Sequence, residues 1–236
     1  MIVYVDLEHD RLRQSPVQWE QSLARRLKHK YRFEDISGEP CLIVRYHRIS
    51  PALLHELKAR AVLVSGCSTD FEHYHENDLA GLRAVFREAA WPTLGFCGGH
   101  QLMAQAYGAP IDAMGPASTA PTRDGPNPFP EAGYTPGLKE EHGFMPVRVL
   151  APHGLVEGLG AQPVVYESHY WEVKSPPDGF RVYAESGLCA IQIMAPLGEA
   201  QPLFGTQFHP EEYDEAHPDG RRLLVNFFRM AGLAAA

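Results

Sequence analysis

The sequence predicts an α/β fold: a mainly parallel central sheet flanked by helices, with an added antiparallel portion from the second half. Three observations carry this expectation. Up to residue 107, short apolar runs alternate with amphipathic stretches, the rhythm of successive βα units. The runs Ile2–Asp6, 41–44, 61–64 and 93–96 are continuously apolar, as strands buried on both faces require. Beyond residue 144, further runs mostly alternate apolar with polar residues, the pattern of half-buried strands.

Taken in order, Ile2–Asp6 is a strand ending in the polar turn 6–10. Trp19, Leu23 and Leu27 fall at helical spacing and predict a helix over 16–30 with that face inward. A second strand covers 41–44. Ser50 followed by Pro51 is an N-cap with proline at the first helical position, and Leu53, Leu54 and Leu57 mark a short helix behind it. The third strand is 61–64. Leu79, Leu82, Val85 and Phe86 define the next helix, with Asn77 at its N-cap, and 93–96 is the fourth strand. Residues 102–107 read as a helix. Strands are expected at 145–150, 163–166, 180–184, 189–194 and 203–208. Leu223, Leu224, Phe227 and Phe228 make the last helix core-facing, and 231–236 reads as a frayed tail.

Composition narrows the function classes. A chain of 236 residues with 44% hydrophobic and 21% charged content is an ordinary globular protein, read as a single domain over 1–236. Its formal charge of −8 opposes general attraction to nucleic acid or to an anionic membrane. No apolar run approaches the roughly 18 residues that a membrane span needs. Cys41, Cys67, Cys97 and Cys189 are scattered without Cys-x-x-Cys pairing, which fits a reducing, cytoplasmic setting. The run 71–76 holds His73 and His75 between Glu72 and Glu76, but it reads as a polar loop before a helix, so neither a metal nor a cofactor is assigned. Residues 115–138 are rich in Pro, Gly, Thr and Ser and read as a long loop insertion, either a lid or docking element or a tolerated insertion.

Chemistry concentrates at Gly95-Phe96-Cys97-Gly98-Gly99-His100-Gln101. A lone Cys stands at a strand-to-helix turn crowded by glycines, where a Cβ would clash. Such a turn lifts a nucleophile clear of the sheet, and the N–H groups at the helix start can hold a developing oxyanion. The helix N-terminus also favours thiolate. Far downstream, Gln207-Phe208-His209-Pro210-Glu211 places a His at a strand end and a carboxylate two residues on. A thiol nucleophile needs an imidazole to move protons, and the imidazole needs a partner to fix its tautomer. Pro210 is expected to hold the link extended so that both side chains converge.

Together these stretches resemble the class I glutamine amidotransferases, whose patterns are Gly-x-Cys-x-Gly-x-Gln and Gln-Phe-His-Pro-Glu. The resemblance covers nearly the whole chain and implies the flavodoxin-like fold of that family. It implies a glutaminase in which Cys97 attacks the side-chain amide of glutamine, His209 moves the protons and Glu211 orients His209. It also implies an oxyanion hole from the N–H groups of Gly98 and Cys67. Here Ser65-Gly66-Cys67-Ser68 stands where the family has Ser-Gly-Gly-Pro or a similar turn, so Cys67 replaces a glycine. Gln101, Ser168, His169 and Tyr170 occupy the substrate-binding positions. His169 lacks a following carboxylate at the right step, which leaves His209 as the base.

The implied ligand is glutamine or another γ-glutamyl compound. No nucleotide motif follows Glu211, so an ammonia acceptor would sit on a separate synthetase subunit. A hydrolase of a different γ-glutamyl amide and a non-catalytic regulatory relative are the alternatives. If a partner gates activity, one peptide flip in the Ser65–Ser68 turn would turn the Cys67 N–H away. Cys67 should in any case lie beside Cys97, without a disulfide.

Overall fold

The computed structural model describes residues 1–115, 139–198 and 201–233. The expected insertion at 115–138 lies outside these residues apart from Gly115. Strands β1 (Ile2–Asp6), β2 (Cys41–Arg45), β3 (Ala61–Val64) and β4 (Thr93–Phe96) alternate with helices α1 (Pro16–Ser37), α2 (Pro51–Glu56) and α3 (Glu76–Glu88). Helix α4 (Gly98–Ala106) follows β4 after a single residue. The second half supplies β5 (Ile111–Ala113), β6 (Glu141–Pro146), β7 (Arg148–Val149), β8 (Val164–His169), β9 (Trp171–Val173), β10 (Phe180–Glu185), β11 (Ile193–Pro196) and β12 (Leu203–Thr206). Helix α5 (Asp219–Met230) closes the described chain.

Eight strands form one sheet in the order β2-β1-β3-β4-β12-β11-β10-β7. The first five are mutually parallel and the last three run antiparallel. Two ribbons, β5-β9 and β6-β8, are added outside it. Within the parallel strands the chain alternates between two cores. Ile2, Tyr4, Ala61 and Leu63 pack with Phe33 and Ile36 of α1 and Leu223, Phe227 and Phe228 of α5. Val3, Val5, Val62 and Val64 pack on the other face with Leu54, Leu79, Leu82, Phe86 and Leu102 from α2, α3 and α4. Burying each such side chain is worth about 1.5–3 kcal/mol, which is why these strands show no apolar-polar alternation.

Several expectations shift. Helix α1 runs to Ser37, and Gly38 ends it at φ 70°, where only glycine sits without strain. Its buried face is Ser22, Arg26, His29, Phe33 and Ile36, while Leu23 and Leu27 are 42% and 47% exposed. Apolar residues thus occur at helical spacing on the wrong side, and the inward side carries charge. Helix α2 starts as read, Ser50 Oγ accepting from Leu53 N at 3.2 Å. Helix α3 is capped by His75 rather than Asn77. The run 189–194 becomes β11 four residues later, because Cys189 is held in a turn whose N–H donates to Ser186 Oγ. Residues 231–233 are not frayed: Leu233 is buried and its N–H bonds Phe228 O at 2.9 Å.

In the order β2-β1-β3-β4-β12 the chain direction of sheet growth reverses between β1 and β3. Ligands in such sheets bind outside the carboxyl ends of strands near that reversal. The residues found there are Asp6 to Glu8 after β1, Ser65 to Ser68 after β3, Cys97 after β4 and Gln207 to His209 after β12.

Candidate active site

Cys97 occupies the single residue between β4 and α4. Its N–H donates to Thr206 O at 2.8 Å, and its carbonyl accepts the first helical bond from Gln101 N at 2.9 Å. To serve both, the backbone adopts φ 45° and ψ −103°, a strained conformation for a residue with a Cβ. Strain of this kind costs on the order of 1–3 kcal/mol and persists only where its surroundings enforce it. The flanking glycines are enforced by contact. A Cβ on Gly95 would lie 2.7 Å from the Gly99 carbonyl carbon, one on Gly99 would lie 2.6 Å from Val64 O, and one on Gly98 would lie 2.6 Å from Cys67 Sγ.

His209 follows β12 and is fixed by its N–H to Tyr166 O at 2.8 Å. Its Nδ1 lies 2.9 Å from Glu211 Oε1. The link between them is not extended: Pro210–Glu212 is a short 3-10 turn, and proline at its first position folds the carboxylate back under the imidazole. Burial alone would discharge His209, but the Glu211 charge and hydrogen bonding to Cys97 and Glu211 hold its pKa well above the usual value. Burial likewise opposes the Glu211 charge, and the His209 imidazolium more than offsets it, so this carboxyl is held low.

The turn after β3 lies against both groups. A Cβ on Gly66 would sit 2.8 Å from His209 Cε1 and 3.3 Å from Cys97 Cβ. The Cys67 amide nitrogen is 3.0 Å from the point where a Gly98 Cβ would be, so these two backbones approach as closely as the absence of a side chain allows. Cys67 and Cys97 are therefore neighbours, as expected, and both are free thiols. Burial pushes the Cys67 thiol well up, which keeps it protonated beside the candidate nucleophile. Gly66 O accepts from Arg26 Nη2 at 3.1 Å and from Ser65 Oγ at 2.8 Å, so the flip envisaged for this turn would break two hydrogen bonds. On the far side of the turn, Glu8 accepts from Ser68 N at 3.2 Å and Ser68 Oγ at 2.8 Å.

The expected substrate-binding residues line the same cleft, a cavity of about 560 Å³ that also exposes Cys97, His209, Cys67 and Trp171. Ser168 O lies 3.9 Å from Cys97 Sγ. Gln101 Nε2 donates to Trp171 O at 2.9 Å and to Gln207 Oε1 at 3.2 Å, which ties α4 to the strand carrying Ser168 and to β12. Tyr170 donates its hydroxyl to Asp70 Oδ1 at 2.5 Å and spans the cleft to the loop before α3. His169 carries carboxylates that sequence order hides. Its Nε2 faces Glu141 Oε2 at 3.0 Å and Glu167 Oε2 at 3.2 Å, and its Nδ1 bonds Trp171 O at 3.0 Å. Burial would lower its pKa, yet the bonds to the two carboxylates raise it to about 10. His169 is thus a buried imidazolium with both nitrogens engaged, unlike the cleft-facing His209.

Sequence reasoning missed Arg26, Asp6, Glu8, Asp70, Glu141 and Glu167. For Arg26 a signal existed, because Ser22, Arg26 and His29 share one helical face with Phe33. Among the described residues one group with metal-ligand chemistry occurs, Glu141, His169 and Cys189. The imidazolium proton of His169 already occupies the point between the carboxylates. In the run 71–76, His73 instead bonds Arg11 Nη1 at 3.0 Å.

A strained cysteine at a strand-to-helix turn, with a carboxylate-backed histidine at its side, defines a cysteine-nucleophile enzyme on a doubly wound sheet. The model of the family "Glutamine amidotransferase class-I" matches residues 20–231, and the chain belongs to that family. Its members are cysteine-dependent enzymes acting on the amide C–N bond of glutamine. The chain is 36% identical over 142 residues to the glutamine-hydrolyzing subunit of GMP synthase from Methanopyrus kandleri, covering 60% of this chain and 62% of that one. It is 29% identical over 191 residues to the corresponding GMP synthase subunit of Thermococcus kodakarensis, covering 76% and 81%. A solved structure from Thermoplasma acidophilum, assigned to the same GMP synthase subunit, superposes with a TM-score of 0.65 at 22% identity over 98% of this chain and 94% of that one. That last likeness establishes the fold alone. No helix among the described residues is long and apolar enough to cross a membrane.

Proposed function

We propose that the chain is a glutaminase subunit that hydrolyses glutamine at Cys97 and passes the ammonia to a synthetase carried on a separate chain. The observation supporting it most is the pairing of His209 Nδ1 with Glu211 Oε1 at 2.9 Å, beside a cysteine held in a strained elbow. The Nδ1–H is committed to Glu211, leaving Nε2 for the Cys97 thiol. The thiolate attacks the amide carbon, and the N–H groups of Gly98 and Cys67 stabilise the tetrahedral oxyanion. His209 gives its proton to the departing ammonia, then activates water against the glutamyl thioester. Glutamate and ammonia result. Ser168, His169, Tyr170 and Gln101 would fix the amino-acid end of the substrate on the opposite wall. The separate synthetase follows from the relatives, which are named as one subunit of GMP synthase.

A second reading is favoured by the cleft itself. Its 560 Å³ falls in the range of about 300–1,000 Å³ that holds drug-sized ligands. A γ-glutamyl amide with a bulkier amine would fill more of it than glutamine does. One comparison separates the two: ammonia and glutamate release from glutamine and from a panel of γ-glutamyl amines, with and without a synthetase subunit of the GMP synthase type. Glutamine turnover that rises with the second subunit supports the first reading. Turnover of the amines but not of glutamine replaces it with the second.

A further inference from the structure

The geometry points to Arg26, acting with Ser65, as the positioning residue that aims the Cys67 N–H of the oxyanion hole; this rests on the glutaminase reading above. Arg26 lies on the inner face of α1, where a helix facing an apolar sheet has no need of a guanidinium. Its side chain is nonetheless buried, 8% exposed. The group is spread over three tasks: Nε donates to Asp6 Oδ1 at 2.9 Å, Nη1 reaches Tyr4 Oη at 3.5 Å, and Nη2 donates to Gly66 O at 3.1 Å. Asp6 is held in turn by Arg45 Nη1 at 3.0 Å. The Arg26 fork is thereby oriented by the end of β1 while it grips the end of β3.

The carbonyl and N–H of a trans peptide point in opposite directions. Fixing Gly66 O on Arg26 and Ser65 therefore fixes the Cys67 N–H pointing away from them, next to Gly98. Ser65 Oγ is itself located by accepting from Leu7 N at 2.9 Å, so both anchors of the carbonyl are anchored to β1's end. This explains how Cys67 can stand where a flexible glycine would otherwise be expected. Orientation of the peptide comes from hydrogen bonds to its carbonyl, not from the side chain that follows. The same helix face also holds the other half of the machinery. His29 Nε2 lies 2.8 Å from Glu212 Oε1 and Lys28 Nζ 2.7 Å from Glu212 Oε2, while Arg32 Nη1 donates to Glu211 O at 2.5 Å. One helix thus sets the oxyanion turn relative to the histidine loop.

The test compares wild type with Ser65→Ala and Arg26→Gln on an amide that the wild type hydrolyses, alongside alkylation of Cys97 by iodoacetamide followed by peptide mapping. Alkylation needs the thiolate and His209 but no oxyanion hole. Losing one donor from such a hole costs roughly 10²–10³ in kcat, so a mis-aimed donor should cost about tenfold or more. The expected result is that loss in kcat, with KM within about threefold and Cys97 alkylation within about twofold of wild type. Crystal structures of the variants should show the Gly66–Cys67 peptide turned. Unchanged kcat, or alkylation falling in step with kcat, overturns the inference. Arg26→Gln leaves Asp6 and Glu8 without their buried cation, and if it fails to fold, Ser65→Ala decides, since it removes no charge. A wild type inert toward every amide counts against the glutaminase reading, and the crystal structures then decide the positioning role by themselves.

Discussion

His169 Nε2 sits between two buried carboxylates, 3.0 Å from Glu141 and 3.2 Å from Glu167, directly behind the wall of the cleft that carries Ser168. With its folded pKa raised to about 10 from 6.5, this imidazolium contributes stability that is fully present below pH 6.5. The contribution declines as pH rises and is gone above about 10. Denaturant unfolding of the wild type should therefore show stability falling between pH 7 and 10, by on the order of a few kcal/mol. In His169→Gln that slope should vanish. The variant should also be less stable at neutral pH by roughly 3–5 kcal/mol, because two carboxylates lose their partner.

Glu211 is 1% exposed and backs His209 across a single proline. Glu211→Gln preserves the shape and removes the charge that keeps His209 in its working tautomer. By analogy with carboxylates in other nucleophile–histidine–carboxylate sites, kcat should fall about 10²–10⁴-fold with KM little changed. Steady-state kinetics on glutamine checks this.

Gly66 is the point where the oxyanion turn touches both reacting side chains. Gly66→Ala places a Cβ 2.8 Å from His209 Cε1 and 3.3 Å from Cys97 Cβ. The expected outcome is a loss of activity of about 10²-fold or more from displaced geometry. Overpacking should cost about 1–3 kcal/mol of stability. Far-UV circular dichroism and a urea titration, set beside the kinetics, distinguish a displaced site from an unfolded chain.

Leu23 and Leu27 face outward on α1 at 42% and 47% exposure. Leu27→Glu should change the stability of the chain by no more than about 0.5 kcal/mol, as surface substitutions do. A loss of 2 kcal/mol or more in thermal unfolding would place Leu27 in the core, contrary to the structure.

That last residue shows where the sequence was legible and where it was not. The four parallel strands were readable because strands buried on both faces must be apolar throughout, and Cys97 and His209 because glycine crowding and a strand-end His-Pro-Glu are local patterns. Helix α1 misled. Its apolar period of Trp19, Leu23 and Leu27 is genuine, but period alone does not say which face meets the sheet. The inner face bears Arg26 and His29 because their partners, Gly66 and Glu212, lie 40 and 183 residues away. Glu141 and Glu167 escaped notice for the same reason, since the pairing of β6 with β8 brings them to His169. The three-residue ribbon of β5 with β9 is too short for any periodicity to mark.

The claim on which everything else depends is that Cys97 takes the γ-glutamyl group. Its most direct test is acid-quenched mass spectrometry, with peptide mapping, of the chain while it turns over glutamine. The expected result is a single glutamyl group, carried by the peptide containing Cys97 and by no other. Turnover with that peptide unmodified and a glutamyl group on Cys67 or any other residue would contradict it.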